Sequence, residues 1–335
     1  MPIDVHAHYV PAQTLAAIRT RGAAIGVTIS GTAAQPAIAF PYGFSTRPLF
    51  PRLTEPVADR LTWLDTQGID HQLVATWPDM FGCALEPRPA AAWHRLLNET
   101  LGEWCDTQRS RFSWIASIPI PHAAEAVAEL DWAASHGAVG VMLPANVEGA
   151  NIGELPLDPV WARAEALRMP VILHPLMVTP APRAARFALA QVVQYTFDTT
   201  LGAGSLIGSG VFDRFPALQM LLSHGGGALP WLAGRFDIMY DRMDRQAQGM
   251  VAAQHPSDYL GRLWFDTITH HPAALRFLKE LAGLQTLVLG SDYSFPPADL
   301  CPVVSLQAAG FSPAEIRTIA DENPRRLFQR LAASF

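Results

Sequence analysis

The chain has 335 residues, half of them hydrophobic and 16% charged, with a formal net charge of −6 at pH 7. That composition supplies a sizeable core and excludes a disordered chain. The acidic balance, with no run rich in Lys or Arg, excludes a nucleic-acid surface.

Cys83, Cys105 and Cys301 are scattered, odd in number and form no CxxC pair, so neither a disulfide framework nor a thiolate zinc site is expected. The N-terminus runs straight into "PIDVHAH" without a basic stretch followed by an apolar one, and no apolar run reaches the ~18 residues of a membrane span. A reducing cytoplasm is the expected setting, with neither membrane nor nucleic acid as a partner.

Short apolar runs rich in β-branched residues alternate along the chain with stretches of helical periodicity. Strands are expected at 3–8, 71–78, 112–120, 138–146, 170–175, 218–226, 263–270 and 286–292. Helices are expected at 56–68, 90–108, 123–137, 158–168, 229–243 and 272–283. Eight such strands, most of them separated by helices, predict an α/β fold, a (β/α)8 TIM barrel that occupies residues 1–335 as a single domain. Two segments exceed the plain repeat. Residues 12–55, with "GVTISGTAAQPAIAF", read as a small β-hairpin insertion after strand 1 that forms a lid or rim. Residues 178–216 are long enough for a loop and two helices.

In such barrels the active site lies at the C-terminal ends of the strands. His6 and His8 end the first strand, His174 the fifth, His224 the sixth and Asp292 the eighth. Residues i and i+2 of a strand share a face, so His6 and His8 can point together into the barrel mouth. An aspartate at a buried strand end is costly unless it is paired or binds a cation. Imidazole nitrogens with one carboxylate suit one divalent metal ion, zinc first and manganese as an alternative. Asp4 reads either as a structural residue or as one that supports the ligands from behind, and is left unassigned.

The motifs "DVHAHYVP", "VILHP", "SHGGGALPWLAGR" and "LGSDYSFP" occur in this order at barrel spacing. The chain resembles the amidohydrolase superfamily, and within it the decarboxylase branch that includes the α-amino-β-carboxymuconate-ε-semialdehyde decarboxylases. The resemblance runs nearly end to end, through "LDTQGIDHQLVATWP" and the closing "ADENPRRLF". It implies that His6, His8, His174 and Asp292 hold one divalent metal. It also implies that His224 is the acid/base beside a metal-bound water, with Asp292 counted among the catalytic residues too. It implies further that Arg47, or its rival Arg52, grips a substrate carboxylate, and that Arg235 enters the neighbouring subunit's site in a homodimer. Two departures stand out: Leu176 follows Pro175 where the branch carries tryptophan, and His270 and His271 form a pair without a counterpart.

An imidazole can take and give a proton near neutral pH, and a divalent cation makes hydroxide available there. The expected reaction is nonoxidative decarboxylation of a conjugated or aromatic carboxylic acid, a small-molecule carboxylate stacked on Trp77, Phe81 and Phe295. The same parts would serve a hydrolase or hydratase of a ring-cleavage product or lactone. "HGGG" also occurs in oxyanion loops of α/β-hydrolases, but the chain has no G-x-S-x-G nucleophile elbow.

Overall fold

The structure, a computed structural model, describes residues 1–32, 35–176 and 181–331. β1 (Ile3–His8) is buried along its whole length. It leads into α1 (Ala12–Arg21) and then into an antiparallel hairpin of β2 (Thr28–Gly31) and β3 (Pro36–Ala39). The expected hairpin is present, but a helix that the sequence reading missed precedes it. Only Thr14, Ala17 and Ile18 of α1 are buried, so its apolar stripe is too narrow to stand out as a period of 3.6.

The barrel continues with α2 (Val57–Gln67), β4 (His71–Ala75), α3 (Pro87–Asp106), β5 (Phe112–Ser117), α4 (Ala123–Ser135) and β6 (Gly140–Pro144). A two-residue hairpin of β7 (Asn146–Val147) and β8 (Ala150–Asn151) precedes α5 (Asp158–Leu167) and β9 (Val171–His174). Then come α6 (Tyr195–Gly208), α7 (Val211–Arg214), β10 (Met220–Leu222), α8 (Leu229–Arg242), β11 (Trp264–Asp266), α9 (Pro272–Ala282) and β12 (Leu287–Val288). The two helices expected within 178–216 are α6 and α7, while residues 178–180 of that segment lie outside the described residues. Three short helices, α10 (Pro302–Ala308), α11 (Pro313–Arg317) and α12 (Asn323–Leu327), were not anticipated. No helix among the described residues is long and apolar enough to cross a membrane.

The strands β1, β4, β5, β6, β9, β10, β11 and β12 form one sheet in that order, with every pairing parallel. The chain after β12 returns to β1: the Val5 amide donates to Leu289 O at 2.9 Å, and the His8 amide to Tyr293 O at 3.0 Å. The result is the expected (β/α)8 barrel. Ile3, Val5, Leu73, Ile115, Met142, Ile172, Leu221 and Val288 form one buried cluster in the barrel, while their neighbours Val74, Ala116, Val141, Leu173 and Leu222 belong to the larger cluster packed with the helices. This alternation is the period-2 pattern of strands buried on both faces.

β1 departs from regular alternation. Asp4 pairs with Gln72, whereas Ala7 pairs with Val74, so the register slips by one residue between them. A bulge of this kind re-aims side chains. Here it lets Ile3 and Val5 fill the barrel floor while His6 and His8 still turn into the mouth. Asp4 is left on the outer side, accepting from Gln72 Nε2 at 2.7 Å and from Ser291 Oγ at 2.5 Å.

Most strands are shorter than their apolar runs. The last residues of the runs 218–226, 263–270 and 286–292 leave the ladder and turn over the barrel mouth, where they place side chains in the site.

Candidate metal centre

Four side chains, His6, His8, His174 and Asp292, reach the barrel mouth from β1, β9 and the segment after β12, and each of the three histidines is held from behind. The His6 Nδ1 lies 2.7 Å from Asp266 Oδ2, the His8 Nδ1 3.0 Å from Thr76 O, and the His174 Nδ1 2.8 Å from Pro175 O. Carbonyl oxygens only accept, so His8 and His174 must carry their proton on Nδ1, and a carboxylate acceptor asks the same of His6. The lone pair on each Nε2 therefore faces forward.

Those lone pairs converge. His6 Nε2 is 3.1 Å from His8 Nε2, and the two nitrogens stand 3.6 Å and 3.4 Å from Asp292 Oδ1. His6, His174, His224 and Asp292 each offer one donor atom within 4.8 Å of the others. His174 Nε2 and Asp292 Oδ1 are buried without any hydrogen-bond partner. Acceptors packed against acceptors repel unless a cation lies between them. Donor atoms around a tetrahedral ion with bonds of ~2.1 Å stand roughly 3.4 Å apart, which is the spacing found here. The residues present thus fit a divalent metal.

The electrostatics agree at two of the three imidazoles, whereas at His6 burial is outweighed by the carboxylates of Asp266 and Asp292, which draw the imidazole upward. Burial pulls the His8 and His174 imidazoles below their ordinary range and so favours their neutral, ligating form. Burial alone would lift Asp292, but its contacts with His224 and His8 hold it well below the usual carboxylate range.

His224 occupies the other side of Asp292. Its Nε2 is 3.4 Å from Asp292 Oδ2, the oxygen turned away from His6 and His8, and its side chain is 16% exposed toward the cavity. His224, Gly225, Gly226 and Gly227 have φ of 56°, 60°, 77° and 63° in succession. Only glycine takes this left-handed conformation freely, so "HGGG" serves here as a tight turn that lifts His224 over the barrel. At Gly227 a Cβ would stand 2.0 Å from Thr196 O. Asp292 also has a positive φ, 57°. Left-handed backbone at non-glycine residues costs energy that the surrounding fold must supply, and it gathers at working sites.

Asp266 was missed by the sequence reading. It is fully buried at the end of β11. It binds His6 Nδ1 and also accepts from the amides of His224 at 2.9 Å and Gly225 at 2.7 Å, so one carboxylate ties the first histidine to the sixth-strand turn. Its signal in the sequence was present: an aspartate in the apolar run "LWFDT" is as costly as Asp292 unless it is partnered. Arg60 was also missed. It is fully buried beneath β1 and donates to His8 O at 2.7 Å and to Glu55 Oε1 at 3.2 Å.

A cavity of about 770 Å³ opens above the cluster, lined among others by Arg47, Trp77, His174, His224, Asp292 and Phe295. Trp77 and Phe295 stand on its wall as expected, and the Phe295 ring lies 4.8 Å from that of His8. Phe81 does not line it and packs with the barrel-interior cluster. Arg47 lines the cavity but is paired with Asp79. Its rival Arg52 lies outside, with its guanidinium over the Tyr293 ring. Arg235 is exposed on α8 and does not line the cavity of its own chain. His270 lines the cavity, whereas His271 caps α9 by accepting from the Ala273 amide. Leu176 packs against the barrel interior, and its amide donates to Asp198.

Comparison with known proteins agrees with this geometry. A 2-amino-3-carboxymuconate-6-semialdehyde decarboxylase of Dictyostelium discoideum is 31% identical over 245 residues, covering 72% of this chain and 68% of the relative. A 6-methylsalicylic acid decarboxylase of Penicillium expansum is 28% identical and covers 65% of this chain and 69% of its own. The fold matches a crystal structure of a dihydroxybenzoic acid decarboxylase of Polaromonas sp. with bound manganese and 2-nitroresorcinol, with a TM-score of 0.78 at 21% identity over 99% of this chain and 98% of that one. The amidohydrolase family model matches residues 3–330, and with the barrel and its strand-end histidines in place, this chain belongs to that family.

Proposed function

We propose that the protein is a metal-dependent nonoxidative decarboxylase of a flat, conjugated or aromatic carboxylic acid. His6, His8, His174 and Asp292 would hold one divalent ion, and His224 would serve as general acid/base. The observation that carries this reading is the convergence of the His6 and His8 Nε2 lone pairs on Asp292 Oδ1, with His174 Nε2 buried and unpartnered in the same cluster and His224 set apart on Oδ2 and facing the cavity. Three imidazoles and a carboxylate favour zinc, and manganese suits the same donors; the manganese-bound structural relative supports a divalent ion without choosing between them.

When bound, such an ion acts as a Lewis acid on oxygen and lowers the pKa of water from 15.7 toward about 7. The chain's own groups do the rest. Trp77 and Phe295, with ring centroids 6.4 Å apart, form one aromatic wall against which a planar ring packs over the mouth, and they exclude water from that side. His224 Nε2 delivers a proton to the carbon that bears the carboxylate, the C–C bond breaks, CO2 leaves, and the electron pair returns to the ring. Asp292 Oδ2 orients the His224 ring and stabilises its protonated form.

We also place the protein in the cytoplasm, as one barrel domain whose 12–55 segment forms the cavity rim through Arg47 and Phe50. A homodimer is part of the reading: Leu201, Trp231, Ile238 and Met239 are exposed apolar residues on α6 and α8, and Arg235 lies among them. Sedimentation tests the dimer. The function is tested by reconstituting the apoprotein with zinc or manganese and following CO2 and products by NMR across carboxylated muconate semialdehydes and ortho-hydroxybenzoates. CO2 release that depends on metal supports the reading. Water addition or hydrolysis without CO2 would replace it with the hydratase or hydrolase alternative.

A further inference from the structure

Arg47 lines the cavity and is held from one side. Its Nε donates to Asp79 Oδ2 at 3.2 Å, and its Nη2 donates to the same oxygen at 3.1 Å and to Oδ1 at 3.4 Å. Asp79 therefore occupies the edge of the guanidinium that Nε and Nη2 share. It is 8% exposed, on the turn that follows β4, so water competes poorly for it. The rings of Phe50 and Trp77 stand 5.4 Å and 5.7 Å from the guanidinium carbon and fix its plane. Nη1 has no hydrogen-bond partner among the described residues, and the side chain is 43% exposed.

Tyr195, the first residue of α6, lines the same cavity beside this fork. Its Oη accepts from Arg47 Nη2 at 3.3 Å. A phenol keeps its hydrogen near the ring plane, so a donor received on one side of the oxygen sends that hydrogen to the other. No acceptor takes it among the described residues. Burial pushes the phenol up to about 12, so it stays a donor at neutral pH. The Tyr195 O–H and the N–H groups of Arg47 Nη1 thus stand together as donors without acceptors.

Their place in the cavity gives them a task. The Phe295 ring lies 4.8 Å from that of His8, and the rings of Phe50 and Trp77 lie 5.7 Å and 6.4 Å from Phe295. Arg47 comes next in this succession, against Phe50 and Trp77. Among the described residues, no hydrogen bond or ion pair joins Arg47 or Tyr195 to His6, His8, His174 or Asp292. A flat acid packed against the aromatic wall, with its reacting carboxylate at the metal centre, meets Arg47 and Tyr195 with its other end.

Building on the decarboxylase reading above, we propose that Tyr195 is a substrate-binding residue: its hydroxyl, beside Arg47 Nη1, donates to an oxygen that the substrate carries at the end away from the carboxylate it loses. Asp79 is the positioning residue that holds Arg47 by the opposite edge. The site thereby prefers flat acids with a hydroxyl, carbonyl or carboxylate oxygen at that far end over acids without one.

The test compares 2-hydroxybenzoate with its 4- and 5-hydroxy and its 4- and 5-carboxy derivatives, in the wild type and in Tyr195→Phe. Binding to the metal-loaded enzyme is read from tryptophan fluorescence, because Trp77 and Trp231 line the cavity, and turnover from CO2. At least one derivative is expected to bind the wild type about tenfold more tightly than the parent acid, and the two series tell a neutral acceptor from a charged one. Tyr195→Phe is expected to remove most of that gain through KM, with kcat and the binding of the parent acid nearly unchanged. An arginine contributed by a second subunit is the same in both proteins, so the comparison isolates the Tyr195 hydroxyl. A wild type that binds no derivative more tightly than the parent overturns the inference. So does a folded variant that keeps the gain, or one that weakens the parent as much as the derivatives. If Tyr195→Phe does not fold, Tyr195→Leu takes its place under the same criteria. CO2 release without the expected ranking would sink the inference and leave the decarboxylase reading standing. The ranking without CO2 would keep Tyr195 as a binding residue and remove the decarboxylase reading, and binding of none of the acids would remove both.

Discussion

Replacing Asp266 by asparagine should loosen the metal centre without emptying the barrel. The carboxylate has two oxygens in use: Oδ2 serves His6 Nδ1 and the His224 amide, and Oδ1 serves the amides of Gly225 and Ile268. An amide of the same shape keeps one oxygen and presents an NH2 group in place of the other. In either orientation two buried N–H groups lose their acceptor, at about 1–3 kcal/mol each. If the NH2 faces His6, the imidazole loses the charge-assisted bond that holds its proton on Nδ1, and the forward lone pair is no longer enforced. Losing such support behind a metal-ligating histidine typically costs about 10–100-fold in metal affinity. The upper end is expected here, because the same residue also seats His224. Competition with a chromophoric chelator gives the affinity, and circular dichroism checks the fold. A folded variant with wild-type metal affinity and wild-type kcat would refute this reasoning.

Three further perturbations probe other parts of the account. His224→Asn should leave bound metal at the wild-type level by elemental analysis while lowering kcat by roughly 10²–10⁴; retained turnover would remove His224 from the chemistry. Gly290→Ala would place a Cβ 2.9 Å from Asp266 Cβ and 3.2 Å from His6 Cβ, and overpacking of that kind typically costs about 1–3 kcal/mol, visible as a lower denaturation midpoint together with weaker metal binding. Arg60→Met removes the cation paired with Glu55, leaving that carboxylate the Tyr293 hydroxyl alone, and removes one of the donors to His8 O; breaking a buried pair on one side costs roughly 3–5 kcal/mol, so a stability change near zero by urea titration would contradict the role given to Arg60.

The barrel was legible because its strands are buried on both faces and their apolar runs stand clear of the amphipathic helices between them. The residues proposed to hold the metal were legible because histidine and aspartate are conspicuous at the ends of such runs. Less could be read where the decisive fact is a partner far away in sequence. Asp266 and His6 are 260 residues apart, and nothing local in "LWFDT" says which imidazole the aspartate will hold. Arg47 shows the same limit: its charge is visible in the sequence, but its engagement with Asp79 depends on how the rim folds back over the turn after β4. The bulge in β1 is likewise invisible to alternation rules, since it changes which residues share a face. α1 escaped because three buried residues do not make a stripe.

The most direct test of the account follows both atoms at once. Metal-loaded enzyme is given 2-hydroxybenzoate labelled with carbon-13 in its carboxyl group, in D2O, and the label and the deuterium are counted by NMR. The account predicts one labelled CO2 for each deuterium placed on the vacated ring carbon, with both signals lost in the metal-free protein and strongly suppressed in His224→Asn. Equal rates with and without metal, or consumption of the acid with its label still attached to carbon, would contradict it.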